Sequence, residues 1–186
     1  MHIPYERFEH NTFQGCTNLT SVDIPNGVTI IESGAFLSCM NITSLTIPNS
    51  VTIIENGAFT GCVSLTSLVI PNNVRSIGER AFAGCSGLVS ITIPNIITRI
   101  ANSTFENCTG LTSVTIPNSV TSIGRAAFRG CSGLTSVTIP ESVKRIESNA
   151  FENCLNLTSV HILGDWDTTY DETVFKGTNA NIKLGK

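Results

Sequence analysis

Seven cysteines are the residues of this chain best suited to chemistry, and they stand at 16, 39, 62, 85, 108, 131 and 154. Thiols can pair as disulfides, hold a metal or act as nucleophiles. A zinc site would want CxxC pairs or histidines close by, and neither occurs. A nucleophile needs a base, yet His2, His10 and His161 are isolated, with no nucleophile or carboxylate at motif spacing. The constant interval of 23 residues instead places the cysteines in one column of a stacked array. Neighbouring Cα atoms in such a column lie roughly 4.8 Å apart, inside the range for a disulfide. Parallel Cβ vectors in a ladder do not point at one another, however, so the expectation is a column of buried free thiols serving as small core hydrophobes.

Carboxylates gather near the C-terminus, where Asp165, Asp167, Asp171 and Glu172 surround Trp166 and Tyr170. Such a cluster can bind calcium, but the spacing is not that of an EF-hand, and a polar cap is the favoured reading. No metal and no cofactor is expected. Other charges mix in sign: Arg75, Arg80, Arg99, Arg125, Arg129, Lys144 and Arg145 are interspersed with Glu32, Glu55, Glu79, Glu106, Glu147 and Glu152. That mixture suggests a solvated face, with a basic strip through Arg99, Lys144 and Arg145 as the alternative for an acidic partner. A net charge of −3 and a charged fraction of 13% give no general attraction to nucleic acid or an anionic membrane. Asn18, Asn41, Asn102, Asn107 and Asn156 begin N-x-[ST] sequons, which matter only in a glycosylating secretory pathway.

The elements that position these residues follow from the same period. Phenylalanine precedes each cysteine by three residues, at 13, 36, 59, 82, 105, 128 and 151. A strict 23-residue repeat means a solenoid, a single elongated domain of about eight coils over residues 1–186. Residues 1–16 read as a partial first repeat, 17–162 as regular repeats and 163–186 as a divergent C-terminal cap. Within each repeat LTSVTIP and its variants alternate β-favouring and small polar residues, the pattern of a half-buried strand. Prolines at 25, 48, 71, 94, 117 and 140 end these strands. A V-x-x-I segment follows, inward-facing and too short for a regular helix, and the A-F-x-G-C turn leads back under the next strand. Eight phenylalanines, Phe175 included, are expected to stack as a spine on the convex side.

At the N-terminus Tyr5 and Phe8 sit one period before Val28 and Ile31, and no strand is expected ahead of Phe13. The first strand, Leu19 to Ile24, therefore presents an open edge, which an upstream segment would cover or a second copy could pair with. Past Ile162 the pattern changes: Leu163 replaces proline, Trp166 takes the valine slot, Phe175 arrives one residue late, and Asn181 to Gly185 are read as a last strand. The opening MHIPYERFEH has no apolar run behind a basic region, and no stretch is long enough to span a bilayer.

The exposed strand positions form columns of small hydroxyls. Ser44, Thr46, Ser90, Thr92, Ser113, Thr115, Ser136 and Thr138 are the candidate binding residues, on a surface suited to weak, multivalent contact with an extended protein or glycan. Regular Ser-x-Thr rows also suit ice binding, but curvature and the interruptions at Asp23, Val69 and His161 count against it. Nucleic-acid binding would need denser positive charge and aromatic platforms.

The pattern LxxVxIPxxVxxIgxxAFxGCxxL, carried by nearly the whole chain, resembles the leucine-rich repeat and, within it, the BspA-like (treponemal-type) class. The resemblance implies a right-handed curved solenoid with a parallel β-sheet on its concave side and short irregular or helical turns on its convex side. It implies, further, a non-enzymatic protein-interaction module, cell-surface or secreted, adhesin-like, binding host extracellular-matrix or serum proteins through the concave face. A structural spacer with no selective ligand is the alternative, and self-association through the N-terminal sheet edge is a further expectation.

Overall fold

The computed structural model describes residues 7–164 and 171–184; His2, Tyr5, Asp165, Trp166, Asp167 and Tyr170, on which part of the reading above falls, lie outside them. In chain order the strands are β1 (Arg7–Phe8), β2 (Ser21–Asp23), β3 (Ile30–Ile31), β4 (Ser44–Thr46), β5 (Ile53–Ile54), β6 (Ser67–Val69), β7 (Ser76–Ile77) and β8 (Ser90–Thr92). Then come β9 (Arg99–Ile100), β10 (Ser113–Thr115), β11 (Ser122–Ile123), β12 (Ser136–Ile139), β13 (Arg145–Ile146), β14 (Ser159–Ile162) and β15 (Asn181–Leu184). Every pairing among them is parallel, and regular partners are one period apart, as in Ser67↔Ser90↔Ser113. The chain is a parallel-strand solenoid.

Two ladders run along the stack. One joins β2 to β4, β6 to β8 to β10, and β12 to β14 to β15; the other joins β1, β3, β5 and β7, then β9, β11 and β13. This second ladder was not expected from V-x-x-I, which has only two residues in strand conformation and no room for alternation. Threonine and isoleucine at Thr29–Ile31 and Thr52–Ile54 favour extended backbone, and Thr52 ties the coils further by donating from Oγ1 to the Thr29 carbonyl at 3.2 Å. β1 also departs from the expectation that no strand precedes Phe13: it pairs with β3 through Arg7↔Ile30 and Phe8↔Ile31.

The helical option for the turns fails among the described residues, which contain no helix. Each A-F-x-G-C turn is closed by short-range bonds and tied to the next coil. Phe36 N–H donates to Ala58 O at 2.8 Å, while Cys39 N–H donates to Phe36 O at 3.1 Å. Reversing direction twice in five residues needs left-handed backbone at both ends of the turn, as at Gly57 (φ 63°) and Gly61 (φ 75°). Arg80, Ser103 and Ala126 fill the first of these slots at φ 53–56°, where a side chain costs about 1 kcal/mol.

The core is one continuous apolar column. Phe36, Phe59, Phe82, Phe105, Phe128 and Phe151 are 0–1% exposed, so the phenylalanines occupy the interior rather than a convex spine. From Phe13 to Phe175 the eight rings stack with centroids 5.1–5.6 Å apart and planes within 14° of parallel. At the C-terminal end Phe175 continues the stack despite its one-residue delay, and Asn181–Leu184 forms the last strand. Thr178 stands where a cysteine would, its Oγ1 donating to Phe175 O at 2.8 Å.

Candidate protein-binding face

Alternation along the longer strands decides which side chains face out. Leu45, Leu68, Ile91, Val114 and Val137 are 3–9% exposed and close the core, whereas the serine before and the residue after each point to solvent. Ser44, Thr46, Ser90, Thr92, Ser113, Thr115, Ser136 and Thr138 are all exposed. The ladder sets them in register: Ser113 beside Ser90, Thr115 beside Thr92, and Ser136 beside Ser159.

A neighbouring threonine column spends its hydroxyls within the chain. Thr43, Thr112 and Thr158 donate Oγ1 to the carbonyls of Thr20, Val89 and Thr135 at 3.3–3.4 Å. The eight candidate residues make no such side-chain bond, which leaves their donors and acceptors to solvent or a ligand. Along the column that runs Asp23, Thr46, Val69, Thr92, Thr115, Thr138, His161 and Lys183, charge occurs only toward the ends. Val69, 77% exposed, and Val89, 49% exposed, put apolar surface on the face in adjacent coils. The sequence reading took these two as interruptions; their exposure makes them the apolar part of the surface.

The cysteine column is chemically quiet. All seven thiols are free, and six are buried. Each buried thiol donates to the phenylalanine carbonyl of the preceding coil, from Cys39 on Phe13 to Cys154 on Phe128, at 2.9–3.3 Å. Burial pushes the thiols of Cys85, Cys108 and Cys131 well above the ordinary value and that of Cys154 up to about 12, the opposite of what a reactive thiolate requires. No group of three or more His, Cys, Asp or Glu side chains comes together to hold a metal among the described residues. Asp171, from the acidic cluster, is exposed and accepts the Thr173 N–H at 2.9 Å.

On the other side of the coil the charged residues are more ordered than a solvated face. Arg99 and Arg145, read as part of a basic strip, both lie 3.7 Å from Glu147, and Lys144 Nζ donates to the Glu141 carbonyl at 2.9 Å. Glu106 is 5% exposed, in the wall of a shallow notch of about 320 Å³, paired with Arg129 and 3.9 Å from Arg80. Burial works to raise its pKa, but hydrogen bonds from Ser103 and Arg129 and the two arginine charges outweigh it and hold the carboxyl below the usual range. The sequence did signal this pair: Glu106 and Arg129 are one period apart and must stack.

A family model described as "BspA type Leucine rich repeat region" matches the chain in six copies over residues 2–112 and 98–183. Among solved structures, the T. pallidum leucine-rich repeat protein is 34% identical with a TM-score of 0.73, over 79% of this chain and 70% of that one. A leucine-rich repeat protein from Bacteroides ovatus is 24% identical with a TM-score of 0.52, over 96% of this chain and 58% of that one. A leucine rich cell surface protein from Faecalibacterium prausnitzii is 26% identical with a TM-score of 0.49, over 95% and 62%. The chain thus spans less than two thirds of the last two. No curated protein matches it.

Proposed function

This chain belongs to the BspA-type leucine-rich repeat family, whose members are generally scaffolds for protein interaction, and we propose that its own function is non-enzymatic recognition of a protein ligand by the strand face. The observation that carries this reading is the set of eight exposed hydroxyls, Ser44 to Thr138, held in ladder register with no bonding partner of their own. Hydroxyls at regular spacing suit the backbone of an extended chain, and Val69 and Val89 add apolar contact. With no Trp, Tyr or Arg in these columns to act as a dominant anchor, affinity comes from many small contacts and selectivity is modest. The ligand class we propose is host extracellular-matrix or serum protein, met at the cell surface or after secretion, in line with an adhesin-like member of the family.

The test is a binding screen of the purified chain against immobilised matrix and serum proteins, beside a variant in which Ser113, Thr115, Ser136 and Thr138 are all replaced by lysine. These positions are exposed, so the variant keeps its fold. Saturable binding lost in the variant supports the strand face as the site. Binding that survives the four lysines moves the site elsewhere, and no binding to any candidate leaves the chain as a spacer.

A further inference from the structure

The two ends of the solenoid carry complementary edges. At one end β2 pairs only with β4, and at the other β15 pairs only with β14, so among the described residues each has one unpaired side. The apolar residues left half-buried against the core lie at these ends: Phe13, Cys16, Leu19 and Val22 at the first, Ala180 and Ile182 at the second. Their counterparts one coil inward, Phe36, Cys39, Ile42 and Leu45, are 0–8% exposed. Covering by a further coil is what separates the two sets.

We propose that copies of this chain stack head to tail, the β15 edge of one pairing in parallel with the β2 edge of the next. The ladder register fixes the match. Ser21, Val22 and Asp23 occupy the positions that Asn181, Ile182 and Lys183 occupy at the far end. Continued across the junction, that register sets Asn181 beside Ser21, Ile182 beside Val22 on the core side, and Lys183 beside Asp23 on the solvent side. Edge charges ordinarily discourage strand pairing; here they are opposite in sign and fall on the same rung. Phe175 at one end and Phe13 at the other continue one ring stack across the junction.

Such a contact is heterologous, using different surfaces on the two copies, so assembly remains open and grows into filaments rather than stopping at a dimer. Eight rungs per copy at roughly 4.8 Å give a repeat of about 38 Å along the axis. The contact uses the ends of the stack and leaves the hydroxyl face free, so it stands or falls independently of the ligand.

Sedimentation velocity over a concentration series, with electron microscopy of the heaviest fractions, tests it. The parent chain is expected to grow in mass with concentration and without a fixed endpoint. Asp23→Lys or Lys183→Asp alone should weaken association about tenfold, since a cross-strand pair swings from attraction to repulsion. The double variant, or an equimolar mixture of the two single variants, should recover it. A mass fixed at one chain overturns the proposal, as does growth that stops at a dimer or ignores both substitutions.

Discussion

The thiol of Cys108 donates a hydrogen bond to the backbone carbonyl of Phe82, 3.1 Å away in the preceding coil. The same carbonyl accepts the N–H of Cys85 at 3.2 Å, so both its lone pairs are used deep in an apolar core. Cysteine suits the slot because it is small, tolerates full burial and still has a weak proton to give. Cys108→Ala is expected to lose about 1–2 kcal/mol from the missing bond and the small void. Cys108→Ser should cost more, about 2–3 kcal/mol, because a hydroxyl resists burial and its shorter arm reaches less far. Urea unfolding of the two variants checks the order, and a serine variant as stable as the parent would refute it.

Alkali should unfold this protein steeply. The buried thiols keep their protons to higher pH in the fold than in the unfolded chain, burial being the main cause. Their contribution is intact below the unfolded thiol value and is lost as pH rises above it, by about 1.4 kcal/mol per pH unit for each thiol. Replacing Cys85 and Cys108 by alanine should lower neutral stability yet flatten the decline above about pH 9. Chemical denaturation at several alkaline pH values reads that slope directly; an unchanged slope would contradict the linkage.

Position along the ring stack should set the cost of losing a ring. Phe82 is 0% exposed with rings on both sides, at 5.4 and 5.6 Å, so Phe82→Ala is expected to cost about 3–5 kcal/mol. Phe13 is half-buried and has its resolved stacking contact with Phe36 on one side, so Phe13→Ala should cost less than half as much. Thermal melts of the pair test the difference, and equal losses would mean that the stack does not behave as nearest-neighbour units.

Glu106→Gln should destabilise the chain by about 1–3 kcal/mol at neutral pH, the value of hydrogen bonds to a charged group. The native carboxyl has its pKa lowered, burial being outweighed by Ser103, Arg129 and Arg80. Its contribution is therefore present above the ordinary carboxylate range and disappears as pH falls through the folded value. The gap between parent and variant should close as the medium is acidified. A gap independent of pH would assign the loss to packing instead.

Much of this fold could be read from the sequence because a strict period converts spacing into contact. Residues 23 apart stack, so the cysteine and phenylalanine columns were legible together, and alternation in LTSVTIP told which strand residues face out. The second ladder was hidden because two-residue strands leave no pattern, and its bonds depend on coil stacking rather than on local preference. Glu106 was read as solvated because charge alone suggests water; its place in the turn between Phe105 and Asn107 buries it, and its partner Arg129 lies in the same column. The hydroxyl face was visible as a set of residues, whereas the isolation of those hydroxyls from internal bonding required the structure.

The interruptions in the two ladders do not coincide. Where β4 and β6 fail to pair, β5 and β7 do; where β7 and β9 fail to pair, β6 and β8 do; and where β10 and β12 fail to pair, β11 and β13 do. The joints are staggered as in masonry, and the turn bonds, such as Phe82 N–H to Thr104 O at 2.9 Å, run across the gap between β7 and β9. No transverse plane through these coils is weak on every side. Tension applied along the axis therefore meets an intact seam at each of these levels, a useful property for a rod loaded from its ends.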